Sequence, residues 1–379
     1  MTLPDPTALL APLGPWFHQV QRAMPWRTAD LDRPHPDPYR VLVAEIMLQQ
    51  TQVATVIPYF QRWLVRFPDL AALAGAGEDE LHRFWAGLGY YRRARLLQGA
   101  ARALVADGWP RDLAGLARLP GLGPYTAAAV GAQAFLWPTP ALDGNAFRVL
   151  ARLLALEADP RRQAPALREW LAPALARIGP SRLTQAIMEL GATVCLPSPR
   201  CPDCPLRAQC RARLEGSVQR IPPPRPRPAP KAVTGVLAAV RSPQGWLLRP
   251  PAAKGLLAGL WSWPWLEGAP AEPLASGAGM AGAGAAEVQR RYGAPRLQGW
   301  PGWVQVYSHR RETIRPLLCQ LSEPRPAPPG LVWIAPAELA ELPMGSRDQR
   351  LRALVADPGP DPAPWTWAEL AAALFSAAR

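Results

Sequence analysis

Lysine is almost absent from this chain of 379 residues, since only Lys231 and Lys254 contribute to its 42 basic side chains. Residues 1–230 contain none, so no lysine amine there can act as a nucleophile. The net charge of +13 is therefore carried almost wholly by arginine. Guanidinium groups suit bidentate phosphate contacts and favour a polyanionic partner, although an arginine bias also arises from genome composition alone.

Long hydrophobic runs are also missing. No uninterrupted apolar stretch reaches ~18 residues, and the first residues have neither the basic flank nor the apolar run of a signal peptide. We therefore expect a soluble, cytoplasmic protein with no membrane association. Cysteine is scarce, and four of the five lie between Cys195 and Cys210, which is unlike a secreted disulfide framework and favours metal binding.

What is present predicts a multi-domain globular protein, because 49% of the residues are hydrophobic and the length suits roughly two to three domains. A proline-rich stretch over residues 216–232 predicts a linker. Helical spacing of apolar residues predicts an all-α domain over 1–215. Short apolar runs bounded by Pro and Gly predict an α+β domain over 233–379, with one helix around 285–292. Residues 1–227 carry 27 basic and 18 acidic side chains, most of the positive excess.

Pro120-Gly-Leu-Gly-Pro124 lies between two apolar helical patterns and predicts two helices joined by a tight hairpin. Gly121 and Gly123 leave the backbone uncovered. The N–H groups at the start of the helix near Tyr125 can bind a phosphate without reading base sequence. An ordinary helix–helix turn explains the same segment equally well.

Two carboxylic acids attract attention. Glu45 shares a helical face with Val41, Ala44 and Leu48, so burial should raise its pKa and suit it to general acid catalysis, unless it is simply paired with an arginine. Asp143 and Asn145 lie at the start of an amphipathic helix, and capping that helix is the alternative role for either residue. Together with the hairpin, however, one protonated and one ionised carboxyl are what cleavage of a glycosidic bond requires.

The cysteines follow the spacing Cys195-x5-Cys201-x2-Cys204-x5-Cys210, which predicts a metal site. Zinc modules usually offer two close pairs, whereas here one close pair is flanked by single cysteines. This favours a [4Fe–4S] cluster. Arginines within and beside the loop suggest that it faces phosphate; they are Arg200, Arg207, Arg211 and Arg213.

Several stretches together resemble the MutY family of adenine DNA glycosylases, within the endonuclease III superfamily of helix-hairpin-helix enzymes. They are Met24–Arg27, Val43–Val53, Trp85–Tyr91, Leu119–Thr126, Leu142–Arg152, Met188–Ala192, the cysteine loop and Tyr307–His309. The resemblance implies an all-α helix-hairpin-helix glycosylase domain with a [4Fe–4S] cluster loop at 195–210, followed by an α+β Nudix-like domain. It also implies a monomeric enzyme that excises adenine mispaired with 8-oxoguanine or guanine in double-stranded DNA.

For the catalytic residues, the resemblance implies that Glu45 protonates adenine at N7 and that Asp143 stabilises the oxocarbenium ion or traps it covalently. Asn145 would hold Asp143 in place. Tyr125 occupies the position where bifunctional relatives carry a Schiff-base lysine. Because the catalytic half contains no lysine at all, lyase activity should be weak or absent.

The resemblance also implies the binding residues. Trp26, Arg27 and Glu189 would line the pocket for the extruded adenine. Gln50, Leu88 and Tyr90 would enter the duplex and fill the gap left by flipping. In the second half, Tyr307, Ser308 and His309 match the loop that recognises 8-oxoguanine. Without the resemblance, His309 would be interpreted as a partly exposed histidine on a strand.

Three departures from known patterns carry expectations. Arg290 and Arg291 replace the glutamates of true Nudix hydrolases, which makes the second domain a recognition module and not a metal-dependent enzyme. The first cysteine spacing is one residue shorter than usual in the family, so the loop must close more tightly. Residues 269–284 are rich in Ala and Gly and read as an insertion.

Other functions stay open at this point. An endonuclease III-like glycosylase for oxidised pyrimidines would nick strands without alkali, which Tyr125 disfavours. A non-catalytic DNA-binding scaffold would use the hairpin and the cysteine loop alone, which the Glu45 and Asp143 pair disfavours. A Nudix nucleotide hydrolase is disfavoured by Arg290 and Arg291.

Overall fold

A computed structural model describes residues 3–224, 229–252, 255, 257–267, 296–307, 309–321 and 323–356. The chain divides into two compact units. One comprises Met1–Ala76 and Arg93–Pro226, and the other comprises Gly77–Arg92 and Arg227–Arg379. Among the described helices, none combines the length and the hydropathy needed to cross a membrane.

The first unit is built of helices, as predicted. Aspartates begin many of them, because their carboxylates accept backbone N–H groups that the first helical turn leaves unpaired; they are Asp5, Asp37, Asp69, Asp112 and Asp143. The helices up to the cysteine loop's end are α1 (Pro6–Leu10), α2 (Leu13–Val20), α3 (Pro38–Leu48), α4 (Val53–Arg66), α5 (Leu70–Ala74), α6 (Glu78–Trp85), α7 (Arg92–Asp107), α8 (Leu113–Arg118), α9 (Pro124–Phe135), α10 (Gly144–Leu154), α11 (Ala164–Ile178), α12 (Pro180–Thr193) and α13 (Arg211–Leu214). Of these, α6 belongs to the second unit.

The packing of four helices places the catalytic candidates. Helix α3 packs on α9, α9 on α12, and α12 on α10. Their facing sides are small or aliphatic, and α9 is buried from Thr126 to Ala134, which lets its neighbours approach closely. A second apolar cluster joins α2, α10, α11 and α12 around fully buried Phe17 and Leu150. Residues from four separate stretches of sequence are thereby brought to one place.

The glycine segment forms the predicted helical hairpin between α8 and α9. Gly121 has φ +81°, and a Cβ on it would lie 2.9 Å from the Leu96 Cβ, so glycine is required at this turn. Gly123 is the N-cap residue of α9, and nothing lies within 4 Å of where its Cβ would be. Space is therefore open beside Gly123, whereas Gly121 lies against Leu96.

The second unit contains a mixed sheet with β4-β6-β1-β2-β7 as its main path; β3 pairs with β1 and β5 with β6. The strands are β1 (Lys231–Ser242), β2 (Gly245–Leu248), β3 (Trp265–Glu267), β4 (Arg296–Gly299), β5 (Trp303–Val306), β6 (Arg310–Gln320) and β7 (Val332–Ile334). The long strands β1 and β6 run parallel from Lys231 opposite Arg310 to Arg241 opposite Gln320, and the other pairs are antiparallel.

Two further helices, α14 (Pro336–Leu339) and α15 (Ser346–Ala356), follow the sheet. The apolar core of this unit is rich in tryptophan, with Trp263 fully buried and Trp246 packed edge-on against it. The predicted α+β character of the second half is confirmed. The helix expected around 285–292, the Ala- and Gly-rich residues 269–284, and Arg290 and Arg291 lie outside the described residues.

Candidate active site

Glu45 lies near the end of α3 with only 5% of its surface exposed. Its two oxygens accept hydrogen bonds from Gln133 Nε2 at 2.7 Å and from the Tyr125 hydroxyl at 3.2 Å, both on α9. Burial raises the pKa of Glu45 to about 7, although these two donors work in the opposite direction. The sequence left open an ion pair between Glu45 and an arginine, but both of these hydrogen-bond donors are uncharged. The carboxyl can therefore be protonated near neutral pH.

Asp143 is the N-cap residue of α10, and its Oδ1 accepts the Ala146 N–H at 2.6 Å. Its Oδ2 accepts the Asn145 side-chain amide at 3.1 Å. Burial raises the pKa of Asp143, while these donors and the Arg148 guanidinium favour its ionised form. From the sequence, helix capping and catalysis were alternative roles for Asp143. In the structure Asp143 caps the helix and also lines the cavity that Glu45 faces.

One cavity of about 550 Å³ joins seven of the predicted site residues. They are Trp26, Arg27, Glu45, Tyr125, Asp143, Asn145 and Glu189. Burial, together with the nearby charges of Glu45 and Asp143, raises the pKa of Tyr125 well above its ordinary value, so its phenol stays neutral and can donate to Glu45. Two carboxyls in different environments, facing one cavity, can act as an acid and as an anionic stabiliser.

Glu189, on α12, forms an ionic network at the wall of this cavity. Its buried carboxylate accepts from Arg22 Nε and from Arg27 Nη2, the latter at 3.2 Å. Arg27 Nε donates in turn to Gln185 Oε1 at 2.7 Å. Trp26 is 6% exposed and packs edge-on against Phe60. Since two guanidinium groups hold the carboxylate, its orientation in the cavity wall is fixed.

Arg148 links the cysteine loop to Asp143. Its Nε donates to the Cys195 carbonyl at 2.7 Å, and its Nη2 donates to Asn145 Oδ1 at 2.9 Å and to the Gly191 carbonyl. Asn145 then donates to Asp143. A continuous chain of hydrogen bonds therefore runs from the start of the cysteine loop to the Asp143 carboxyl.

The four loop cysteines, Cys195, Cys201, Cys204 and Cys210, line one small cavity of about 30 Å³ with aliphatic walls. Arg152 Nη1 lies 3.5 Å from Cys195 Sγ, and backbone N–H groups donate to the Cys204 and Cys210 sulfurs. In the part of the chain described, no three His, Cys, Asp or Glu side chains have the geometry of a single-ion site. The four thiols nevertheless line the same cavity.

The remaining predicted binding residues lie elsewhere. Gln50 is exposed, with φ +57°, in the turn between α3 and α4. In the second unit Leu88 is 5% exposed, while Tyr90 is 49% exposed with φ +48°.

The predicted 8-oxoguanine loop lies between β5 and β6. Tyr307 is half-buried, its N–H donates to the Arg310 carbonyl at 2.7 Å, and His309 is exposed. Burial raises the pKa of Tyr307. Ser308 lies outside the described residues.

Sequence reasoning missed four residues of this site: Gln133, Arg148, Arg22 and Gln185. Gln133 had a detectable signal, because it is a polar residue within the apolar run Ala127–Ala134, about two turns after Tyr125. Arg148 gave no such signal in the sequence, since an arginine in the first half of an amphipathic helix is usually an exposed residue.

Comparison with known proteins agrees with this geometry. A family model for the helix-hairpin-helix GPD superfamily of base excision DNA repair proteins matches residues 43–173. The adenine DNA glycosylase of Mus musculus is 35% identical over 390 residues, which cover 87% of this chain and 74% of that protein. This chain belongs to the adenine DNA glycosylase family.

Other members agree. The adenine DNA glycosylase of Homo sapiens is 36% identical over 398 residues, 88% of this chain and 71% of that protein. That of Mycolicibacterium smegmatis is 41% identical over 209 residues, 53% of this chain and 68% of that protein. Membership of this family confirms the resemblance noted in the sequence. It also confirms the prediction that the protein is a DNA N-glycosylase of base excision repair.

Proposed function

We propose that this member of the family hydrolyses the N-glycosidic bond of adenine mispaired with 8-oxoguanine or guanine in duplex DNA, without efficient strand cleavage. One observation carries the proposal: the buried Glu45 carboxyl, with its pKa raised to about 7, faces the same cavity as Asp143. A carboxyl with that pKa holds a proton near neutral pH and can release it to a leaving base, as general acid catalysis requires.

The cavity suits an extruded adenine, since its volume of about 550 Å³ falls within the roughly 300–1,000 Å³ of small-ligand sites. Glu45 protonates adenine N7, and the C1′–N9 bond breaks with its electron pair passing to the base. The Asp143 carboxylate stabilises the resulting oxocarbenium ion, or adds to C1′ before water displaces it. Asn145 orients Asp143, and Tyr125 holds Glu45.

Recognition of the base falls to the ionic network at the cavity wall. The Glu189 carboxylate offers an acceptor for the exocyclic amino group of adenine, and Arg27 offers donors for its ring nitrogens. The Trp26 ring supplies an apolar surface in the same cavity. A flipped base is bound in this way, by its edge and by its face.

Monofunctional chemistry follows from the missing amine. Tyr125 stands on α9 beside Glu45, and its phenol cannot form an imine with the sugar. No lysine precedes Lys231. Water, not an enzyme amine, is therefore the final nucleophile at C1′.

The cysteine loop would hold a [4Fe–4S] cluster. Four thiols line one aliphatic-walled cavity, the donor set that such clusters use. When bound, the cluster would fasten the loop as a structural anchor. Arg200 and Arg207 of the loop, and Arg213 just after it, would then be held against DNA phosphates.

The remaining predicted contacts with DNA are assigned to each unit separately. In the first unit, backbone N–H groups at Gly121 and Gly123 would bind phosphate, with open space beside Gly123, and Gln50 would enter the stacked bases. In the second unit, Tyr90 and Leu88 would enter them, although Leu88 is only 5% exposed and must first become accessible. The second domain is a Nudix-like module that uses the loop formed by Tyr307, Ser308 and His309 to recognise 8-oxoguanine.

Single-turnover excision on duplexes containing A·8-oxoguanine, A·G or A·T tests this proposal. Glu45→Gln should slow excision by at least about 10²-fold, the usual contribution of a general acid, with mispair binding little changed. Glu169→Gln, an exposed change on α11, is the matched control and should behave as wild type. Retained excision by Glu45→Gln would overturn the acid assignment, and equal rates on all three duplexes would overturn the substrate.

A further inference from the structure

Arg93, on α7, places a buried guanidinium against the C-terminal end of α3. Only 7% of the residue is exposed. Its Nη1 donates to the carbonyls of Ile46 and Met47, at 3.0 and 2.9 Å, and to the carbonyl of Gln49. Its Nη2 donates to the Thr51 hydroxyl at 3.2 Å. One side chain therefore contacts four residues of the same turn.

The chemistry of a helix end explains why an arginine fits. The last carbonyls of a helix have no intrahelical partner, and they carry the negative end of the helix dipole. A guanidinium supplies a positive charge and several donors in a fixed plane, so it can satisfy three carbonyls and a hydroxyl together. A lysine ammonium has three donors and no such planar arrangement.

Gln50 lies between the residues that Arg93 holds. Its backbone has φ +57°, a value that residues other than glycine rarely adopt. Gln49 before it is fixed by Arg93 and by a 3.1 Å bond from its own Nε2 to Thr126 Oγ1 on α9, and Thr51 after it is fixed by Arg93. Such a conformation persists where the surroundings determine it, and such sites are often functional. Gln50 itself is exposed.

We propose that Arg93 is a positioning residue for DNA engagement: it fixes the turn over residues 46–51 so that Gln50 is presented outward, ready to enter the duplex. This inference rests on the proposed role of Gln50 in the stacked bases. The same turn follows Glu45 directly along α3, so the acid and the inserting residue share one rigid support. An arginine with a purely structural role would stabilise the fold without acting through Gln50.

A double-mutant cycle separates the two roles. Wild type, Gln50→Ala, Arg93→Met and the double variant are compared by single-turnover excision and by binding to an A·8-oxoguanine duplex. Gln50→Ala and Arg93→Met should each weaken binding or excision, on the order of tenfold, which lies within the coupling seen between residues of one network. With Gln50 already replaced, Arg93→Met should change either quantity by less than about twofold.

Controls keep the result decisive. Arg102→Met, an exposed change on the same helix, should match wild type. If Arg93→Met does not fold, Thr51→Val removes one of the bonds and should show the same dependence on Gln50. Additive losses overturn the inference while leaving the glycosylase assignment intact. A silent Gln50→Ala also overturns it, and shows in addition that the assigned role of Gln50 is wrong.

Discussion

The side-chain amide of Gln133 donates to the Glu45 carboxyl, with 2.7 Å between Nε2 and Oε1, across 88 residues of sequence. This bond favours the ionised carboxyl, whereas burial favours the neutral one and is the larger effect. The balance leaves Glu45 with a pKa of about 7. A less buried glutamate would be ionised at neutral pH, and one without the amide would have a still higher pKa.

Replacing Gln133 by Leu should shift the pH dependence of excision. Without the amide the pKa of Glu45 rises further, so the protonated fraction survives to higher pH. The alkaline limb of the single-turnover rate should move upward by roughly one pH unit, because a hydrogen bond to a charged group contributes about 1.5–3 kcal/mol. Gln61→Leu, an exposed change on α4, is the control. An unmoved limb would show that Glu45 does not set it.

Sequence patterns predicted that Glu45 is buried, but they did not predict its hydrogen bond with Gln133. The apolar spacing of Val41, Ala44 and Leu48 places Glu45 on the buried face of α3, a local property of one helix. The bond to Gln133 depends on how α3 packs against α9, which no local pattern encodes. The link from Cys195 through Arg148 to Asn145 likewise joins a loop and a helix 47 residues apart along the chain.

Glu45→Gln should stabilise the protein at alkaline pH even as it removes activity. The pKa of Glu45 rises from 4.5 in an unfolded chain to about 7 in the fold, so ionisation favours unfolding. This cost is absent below pH 4.5, grows as pH rises toward 7 and is complete above it. Denaturant unfolding at pH 8.5 should show the variant more stable by up to roughly 3 kcal/mol.

The same measurement at pH 4 provides the control for that prediction, since both side chains are then neutral and the two proteins should unfold alike. An advantage for Glu45→Gln that does not depend on pH would indicate a packing effect instead. A variant less stable than wild type at pH 8.5 would contradict the raised pKa.

Arg148→Ala should impair catalysis through Asn145 and Asp143. Without the guanidinium, the Asn145 carbonyl oxygen loses its 2.9 Å donor and the amide that holds Asp143 is free to rotate. We expect excision to slow about 10–100-fold, the usual effect of removing a residue that orients an active group. The visible absorption of the purified variant, which reports on the proposed [4Fe–4S] cluster, should be measured together with the excision rate.

Two outcomes of that experiment differ in meaning. A slower rate with unchanged absorption supports a role in orienting Asp143. Loss of absorption together with activity would show instead that the bond from Arg148 to the Cys195 carbonyl mainly holds the cysteine loop. Arg177→Ala, on α11, is a matched arginine that the site does not use.

Tyr125→Lys should give an enzyme that borohydride can trap on DNA. Tyr125 lies 3.2 Å from the acid, and burial there would lower the pKa of a lysine and keep part of it as the neutral amine. That amine can displace adenine at C1′ and form an imine, which borohydride reduces to a stable covalent complex. Tyr125→Phe and wild type should give no such complex on denaturing gels, because neither places an amine in the cavity. A trapped complex with wild type would instead require another amine to reach C1′, and the absence of lysine before residue 231 would then no longer explain the chemistry.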